Sequence, residues 1–172
     1  MTQSIRIRKL CIAAVLTAIC VATSTFSIPV GASKCFPIQH LCNILAGVFL
    51  GPWYSVGMAF CASLIRNLIG TGTLLAFPGS IAGALLGGLL YHYCGKKLIF
   101  AYLGELFGTS VIGGLLAWPV AVFVLGKEAA VFAYILPFFI SCAGGTILAV
   151  FLAGALKRTG ALNRFLSLES RT

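Results

Sequence analysis

Residues 61–91 read CASLIRNLIGTGTLLAFPGSIAGALLGGLLY, and this stretch decides the fold. Two apolar segments flank a short loop of glycines and hydroxyl residues, and Arg66 and Asn67 lie where the first segment meets that loop. An ionisable group at membrane depth is costly unless it is paired, hydrated or facing a cavity. Arg66 and Asn67 are therefore candidate binding residues, and the loop that continues to Phe77 is predicted to cover a pocket.

The composition of the 172-residue chain is that of a membrane protein. Hydrophobic residues make up 60% of the sequence and charged residues 9%, and the mean hydropathy is +1.07. Soluble domains lie far from these values. Because a spanning helix needs about 20 apolar residues, the chain has room for one bundle of several helices. We predict a single transmembrane domain over residues 1–172.

Six apolar segments are predicted to span the membrane, at about residues 10–28, 38–51, 53–68, 79–95, 99–125 and 130–156. The region 38–68 would measure about 46 Å as one helix, against a hydrocarbon core of about 30 Å, so a break is predicted at Gly51-Pro52. With that break most Lys and Arg residues lie on the cytoplasmic side of the membrane, where such residues are enriched in membrane proteins. The cations inside are Arg6, Arg8, Lys9, Lys96, Lys97, Lys157, Arg158, Arg164 and Arg171, and those outside are Lys34, Arg66 and Lys127. The predicted fold is an all-α bundle of six transmembrane helices with both termini cytoplasmic.

Several chemistries are not supported by the motifs. The net charge of +9 comes from short clusters beside apolar runs, which does not indicate nucleic-acid binding. The seven cysteines lack CxxC spacing and are predicted to pack as small apolar residues. Cys42 lies close to His40, but a single pair of metal-ligand residues does not make a metal site, so none is predicted. No phosphate-binding loop or hydrolase motif occurs, so the chain is not predicted to be an enzyme.

Small residues on two predicted helices indicate close helix packing. Ala14, Ala18 and Ala22, here called the alanine ridge, lie four residues apart and so share one face of the first helix. Glycines recur at the same spacing in the fourth helix, at positions 79, 83 and 87. Small residues let neighbouring helices approach closely in lipid. The basic start and apolar run of the first helix also resemble a signal peptide, but we predict that the segment is retained because cleavage would remove the ridge.

Polar residues at the start of the second helix are further candidates. Gln39 and Asn43 share one face, with His40 adjacent. Their alternative role is hydrogen bonding at the membrane interface without a ligand. Glu105 is the only acidic residue within a predicted span, and a buried carboxylate must be protonated, paired or hydrated. The depth of Glu105 estimated from the sequence does not decide whether it forms a salt bridge with Arg66.

The other partners that the sequence allows for Glu105 are His92, the lysine pair at 96–97 and a bound ligand. Aromatic residues that could stack on a flat solute are Phe77, Trp118 and Tyr134, although Trp118 and Tyr134 could instead belong to the interfacial aromatic belt. Ser141 in the sixth span completes the set of polar candidates.

Three blocks of sequence resemble a known family: CFPIQHL at 35–41, LGPWY at 50–54 and RNLIGTGTLLAFPGS at 66–80. They are similar to the ThiW family, whose members are substrate-binding (S) components of energy-coupling factor (ECF) transporters assigned to the thiazole precursor of thiamine. The block at 66–80 is the specific part. The alanine ridge matches a looser Ala-x-x-x-Ala pattern that S components share.

The resemblance implies a cell-membrane protein that captures hydroxyethylthiazole from outside. The alanine ridge would dock on a transmembrane coupling subunit driven by two ATPase subunits, so that no cofactor is expected in this chain. The substrate-site residues, chosen by polarity and depth, are Gln39, His40, Asn43, Arg66, Asn67, Phe77, Glu105, Trp118, Tyr134 and Ser141. A hydroxymethylpyrimidine would fit nearly as well. A solitary carrier coupled to protons through Glu105 and a non-transporting assembly factor remain as alternatives.

Overall fold

The computed structural model describes residues 3–30 and 33–160, and this part of the chain contains six helices. They are α1 (Gln3–Ala22), α2 (Pro37–Leu50), α3 (Pro52–Leu68), α4 (Ala76–Tyr93), α5 (Leu98–Val124) and α6 (Ile135–Arg158). The six-helix prediction is confirmed. The C-terminal tail with Arg164 and Arg171, which the charge count assigns to the inside, lies outside the described residues, and the orientation of the termini stays a prediction.

Helix bounds lie within three residues of the predicted segments except at three ends. Helix α1 begins well before residue 10, so that Arg6, Arg8 and Lys9 belong to its first turns, and its last turn gives way to a 3₁₀ turn at Thr23–Thr25. Helix α6 begins at Ile135 rather than near residue 130. Two helices, α5 and α6, are long and apolar enough to cross a membrane by themselves, with 27 and 24 residues.

The break between α2 and α3 occurs at Gly51, as the sequence predicts. Gly51 has φ 88° and ψ 171°, a conformation that glycine adopts readily, and Pro52 occupies the first turn of α3, where its missing N–H is not needed. Helix α2 has 14 residues and rises about 21 Å, less than a hydrocarbon core. The α2–α3 pair therefore forms a short hairpin within the bundle.

A small β-hairpin departs from the all-α prediction. Strands β1 (Ile28–Val30) and β2 (Ser33–Cys35) pair antiparallel between α1 and α2, with Ile28 opposite Cys35. The sequence indicated only that proline and glycine interrupt the helix here. Pro29 fits this ribbon because each strand of a two-stranded sheet has a free edge, where a missing N–H leaves no pairing unsatisfied.

Helices α4 and α5 pack through glycines, which confirms the predicted close approach of α4. A Cβ atom at Gly104 would lie 2.6 Å from the Cα of Gly87, and one at Gly83 would lie 2.8 Å from Oε2 of Glu105. Real Cβ atoms do not approach so closely, so a larger residue at Gly104 would push the two helix backbones apart and one at Gly83 would displace the side chains of Thr109 and Glu105. The contact fixes the height of Glu105 relative to α4.

Helix α5 is not regular along its length. Residues Gly108–Gly113 and Val120–Val124 form π-helical turns, and Pro119 lies between these two segments. Such wide turns often occur at functional sites because they rotate the side chains that follow. The first of them comes directly after the turn that carries Glu105 and includes Thr109.

The buried apolar residues of the described chain form three clusters, one of which lies around Ile44, Val48 and Tyr91. A second cluster, of α1, α2 and α3, includes Leu16, Leu50 and Met58, and the third is formed by residues of α5, α6 and the α3–α4 loop around Tyr134. All seven cysteines are free thiols. Cys20 and Cys42 belong to the cluster of α1, α2 and α3, in agreement with the predicted packing role.

Candidate functional site

A group of buried polar side chains lies at the centre of the bundle, contributed by α2, α3, α4 and α5. Arg66 and Glu105 are 0% exposed. We call this group the polar cluster, and it consists of Gln39, His40, Asn43, Ser63, Arg66, Ser80, Glu105 and Thr109. Five of these residues were predicted from the sequence. Buried polar groups need hydrogen-bond partners, so the contacts within the cluster decide its chemistry.

Helix α2 supplies the middle of the polar cluster. Gln39 donates through Nε2 to Ser80 Oγ at 2.7 Å and accepts through Oε1 from Nη1 of Arg66. Asn43, one turn further, donates through Nδ2 to Ser80 Oγ at 3.3 Å and to Glu105 Oε1 at 2.9 Å. A continuous chain of hydrogen bonds thus runs from the cation to the carboxylate. Arg66 and Glu105 are connected through these groups and make no direct bridge.

The carboxylate of Glu105 has three partners on one oxygen. Its Oε1 accepts from Asn43 Nδ2 and from Thr109 Oγ1, the latter at 3.3 Å, and lies 2.9 Å from Nδ1 of His40. The sequence analysis did not name His40 among the possible partners of Glu105, and the structure places it there. Oε2 of Glu105 and Oδ1 of Asn43 have no hydrogen-bond partner among the described residues. Two acceptors are therefore free to receive hydrogen bonds.

Arg66 is held on two sides. Its guanidinium carbon lies 3.7 Å from the ring centroid of Phe36, and its Nη1 is bonded to Gln39. Within the described part of the chain, Nε and Nη2 have no partner. Stacking on an aromatic face favours the cation, but it satisfies no N–H group.

The loop after α3 is anchored to the end of that helix. Gly70 has φ 78° and bonds to the carbonyl of Asn67, while Thr71 bonds to the carbonyl of Arg66, which is the pattern of a Schellman C-cap. The Asn67 side chain donates to the carbonyls of Ser63 at 2.8 Å and Thr73 at 3.1 Å. Asn67 therefore shapes the loop and does not join the polar cluster. The loop lies over this end of the bundle, as predicted for a cover.

A cavity of about 30 Å³ lies beside the polar cluster. Its walls include Lys34, Phe36, Gln39, His40, Phe138 and Ser141. Oγ of Ser141 accepts a hydrogen bond from the backbone N–H of Phe36 at 2.8 Å, which fixes the end of the hairpin over the cavity. Aromatic and polar groups thus meet at one place, as in small-molecule sites.

The three aromatic residues predicted for the pocket lie elsewhere. Phe77 packs on Phe60 with ring centroids 5.6 Å apart, Trp118 donates through Nε1 to the carbonyl of Ala129, and Tyr134 is buried in the apolar core. The aromatic walls are Phe36 and Phe138. Both residues could have been predicted from the sequence as wall residues. Phe36 directly precedes the start of α2, and Phe138 lies three residues before Ser141 on the same face of α6.

A second, larger space lies on the surface between α1 and α3. This groove measures about 900 Å³, and its walls are almost entirely apolar. The alanine ridge lines it together with Trp53 and Gly57. In α1 only Leu16 and Cys20 are buried, so this helix packs lightly on the rest of the described chain. Size alone would favour the groove as a solute site, but its lack of polar groups is typical of a helix-docking surface.

Three potential metal ligands also meet in the polar cluster. Ligand atoms of His40, Glu105 and Cys142 lie within 4.8 Å of one another, a combination that the sequence analysis, which predicted no metal site, did not name. The hydrogen bonds to Glu105 Oε1 account for the contact between the histidine and the carboxylate without a metal. We therefore treat the group as a hydrogen-bonded network.

Comparison with known proteins defines the class to which this architecture belongs. The fold is similar to that of a solved S component of a bacterial ECF transporter, with a TM-score of 0.74 and 17% sequence identity over 90% of this chain and 98% of that chain. The similarity shows that the bundle has the fold of a transporter S component. No curated protein sequence matches the chain.

The chain belongs to the ThiW family of thiamine-precursor transporter proteins, because the family model matches residues 10–159. The resemblance that the blocks at 35–41, 50–54 and 66–80 indicated is thereby confirmed. Membership makes the protein a membrane transport component and not an enzyme.

Proposed function

We propose that the protein is the high-affinity substrate-capture subunit of an ECF transporter and that its substrate is hydroxyethylthiazole. The family and the S-component fold support a thiamine-precursor transporter. The single observation that carries the substrate site is the polar cluster next to a cavity with two aromatic walls. Of the residues predicted from the sequence, the proposed site keeps those of the polar cluster and Ser141, and Phe36, Ser80, Thr109 and Phe138 are added.

The chemistry of a hydroxyethylthiazole suits these groups. Its flat ring would lie between Phe36 and Phe138, where aromatic faces interact favourably. Its hydroxyl would donate to the free Oε2 of Glu105 or the free Oδ1 of Asn43. A buried polar atom left without a partner costs about 1–3 kcal/mol, so matched groups would discriminate against analogues that lack the hydroxyl.

Substrate entry requires movement of the cavity walls. A volume of about 30 Å³ holds roughly one or two water molecules, which is less than a substituted thiazole needs. Phe36 and the β-hairpin are the parts best placed to move, since they are joined to α6 by the bond to Ser141 and by the thiol of Cys35, which donates to the carbonyl of Pro137 at 3.3 Å. Breaking two such bonds would release the hairpin from α6.

Docking on partners would use the groove between α1 and α3. The exposed alanine ridge would let a helix of a transmembrane coupling subunit approach closely. Two ATPase subunits attached to that partner would hydrolyse ATP, and this chain would hold no cofactor. The protein would lie in the cell membrane with both termini cytoplasmic.

Two measurements test the proposal. Calorimetric titration of the purified chain with hydroxyethylthiazole, hydroxymethylpyrimidine and thiamine is expected to give tight, saturable binding of the thiazole alone. Uptake of labelled thiazole is expected only in cells that also contain the coupling module. Binding of the pyrimidine instead would overturn the substrate assignment, and uptake without the module would favour a solitary proton-coupled carrier.

A further inference from the structure

Arg66 is a buried cation without a matching anion among the residues that the structure describes. Its side chain is 0% exposed, and its guanidinium makes no ion pair within 4.0 Å with a described carboxylate. The one described ion pair joins His40 and Glu105. A buried charge is strongly unfavourable unless it is paired and hydrogen-bonded. The observed contacts to Phe36 and Gln39 supply an aromatic face and one neutral acceptor, which leaves the charge uncompensated.

The free N–H groups lie on one edge of the guanidinium. Nη1 is taken by Gln39, whereas Nε and Nη2 have no partner among the described residues. These two nitrogens point their hydrogens in the same direction, and together they bind the two oxygens of a carboxylate or phosphate side by side. The edge left free is therefore the one that recognises an oxyanion with two parallel hydrogen bonds.

Arg66 does not itself line the cavity, but it contacts two residues of the cavity wall. Phe36 and Gln39, the two side chains that contact the guanidinium, also line the cavity, and so does Lys34. Two cations thus lie at this end of the site. The carboxylate of Glu105 is engaged by His40 and other donors of the polar cluster.

A purely structural role of Arg66 does not explain its burial and its N–H groups left unpaired within the described chain. Arg66 lies in the last turn of α3, where a cation interacts favourably with the helix dipole. That interaction needs no burial and leaves no N–H group without a partner when the side chain reaches water. The combination of complete burial, aromatic stacking and a free bidentate edge is what a binding subsite requires.

We propose that the Nε/Nη2 edge of Arg66 is an oxyanion subsite, which takes the carboxylate or phosphate of an anionic thiazole. The inference rests on the proposed function and narrows its substrate, because the same thiazole site would prefer an anionic thiazole to the neutral hydroxyethylthiazole. The ring of such a substrate would lie against Phe36, and its oxyanion would bind to Arg66. The same edge could also take free inorganic phosphate, and the test separates these two sources.

The test is calorimetric titration of the full-length protein in detergent with four probes: hydroxyethylthiazole, its phosphate monoester, a methylthiazole carboxylate and inorganic phosphate. Wild-type protein is expected to bind at least one anionic thiazole about tenfold more tightly than the neutral alcohol. Arg66→Gln is expected to remove that preference, because it should weaken binding of the anionic thiazole about tenfold more than binding of the alcohol. Arg158→Gln, at an exposed position in α6, is the matched control and should behave as wild type.

A second variant distinguishes loss of the subsite from misfolding of the Arg66→Gln protein. Arg66→Lys keeps the charge but lacks the two-pronged edge, and it should retain only part of the preference if the subsite is bidentate. Equal binding of neutral and anionic thiazoles by wild-type protein would overturn this inference while leaving the proposed function intact. Absence of binding by every thiazole would instead reject the proposed function. Saturable binding of inorganic phosphate that leaves the affinity for the anionic thiazoles unchanged would also overturn the assignment.

Discussion

Nδ1 of His40 lies 2.9 Å from Oε1 of Glu105, and both residues are buried where α2 meets α5. A hydrogen bond between these atoms needs a proton on one of them. Burial of a carboxyl group and an imidazole between apolar helices is unfavourable unless both groups have hydrogen-bond partners. The contact with His40 therefore explains how Glu105 is tolerated inside the bundle. It also places the free oxygen of Glu105 in the polar cluster, where a substrate hydroxyl would find an acceptor.

Gly83→Ala should destabilise the bundle. The new Cβ would meet Oγ1 of Thr109 and would lie 2.8 Å from Oε2 of Glu105, so these two buried, hydrogen-bonded side chains or the helices that carry them would have to move. Overpacking of this kind should lower the free energy of unfolding by about 1–3 kcal/mol and the melting temperature in detergent by several degrees. Scanning fluorimetry measures the change.

The matched control for that experiment is Gly154→Ala in α6. Among the described residues nothing lies within 4 Å of a Cβ at this position, so the variant should be as stable as wild type or more stable by up to about 1 kcal/mol. Equal melting temperatures for the Gly83 and Gly154 variants would show that the α4–α5 contact is looser than described.

Ala18→Leu should separate docking from substrate capture. The larger side chain would fill the groove between α1 and α3, where Ala18 is exposed, and would keep a partner helix at a distance. We expect loss of co-purification with the coupling subunit and loss of uptake, with substrate binding by the isolated chain unchanged. Val15→Leu is the control, since Val15 is exposed on α1 but does not line the groove. Full uptake by the Ala18 variant would contradict docking at this face.

Cys35 should react slowly with a maleimide. Burial raises the pKa of its thiol, and the thiolate is the reactive form, so at a given pH a smaller fraction of Cys35 reacts than of an unperturbed thiol. The labelling rate should rise with pH and should keep rising above pH 9, because pH 9 is the ordinary pKa of a thiol and the pKa of Cys35 is raised. In detergent, mass spectrometry should find labelling about tenfold or more slower than at the exposed Cys94.

A variant of Ser141 links that reactivity to movement of the hairpin. Ser141→Ala removes the acceptor for the N–H of Phe36, so the hairpin should open more often and Cys35 should be labelled faster. Labelling of Cys35 in wild-type protein at the rate of Cys94 would mean that the hairpin is not packed on α6.

The sequence predicted the helical layout because its signals are local. Gly51-Pro52 dictates a helix break through backbone geometry alone, and the glycines of α4 mark a face that must touch another helix. The grouping of Gln39, His40 and Asn43 also follows from helical spacing. These features depend on one helix at a time.

The partner of Glu105 could not be predicted in the same way. Its height was estimated from the start of α5, but the register between α5 and its neighbours is set by contacts such as that between Gly87 and Gly104. Rotation of each helix about its axis is likewise decided by packing. For this reason Trp118 and Tyr134, which have suitable chemistry, lie outside the cavity, while Phe138 lines it.

The most direct test of the account compares Glu105→Gln with Glu128→Gln in calorimetric titrations of the purified chain with hydroxyethylthiazole. Both changes remove one carboxylate charge, but Glu105 is buried in the polar cluster and Glu128 is exposed in a turn. If the polar cluster is the substrate site, Glu105→Gln should weaken binding by about tenfold or more and Glu128→Gln should not change it. Equal affinity in both variants and in wild-type protein would contradict the assignment of the site.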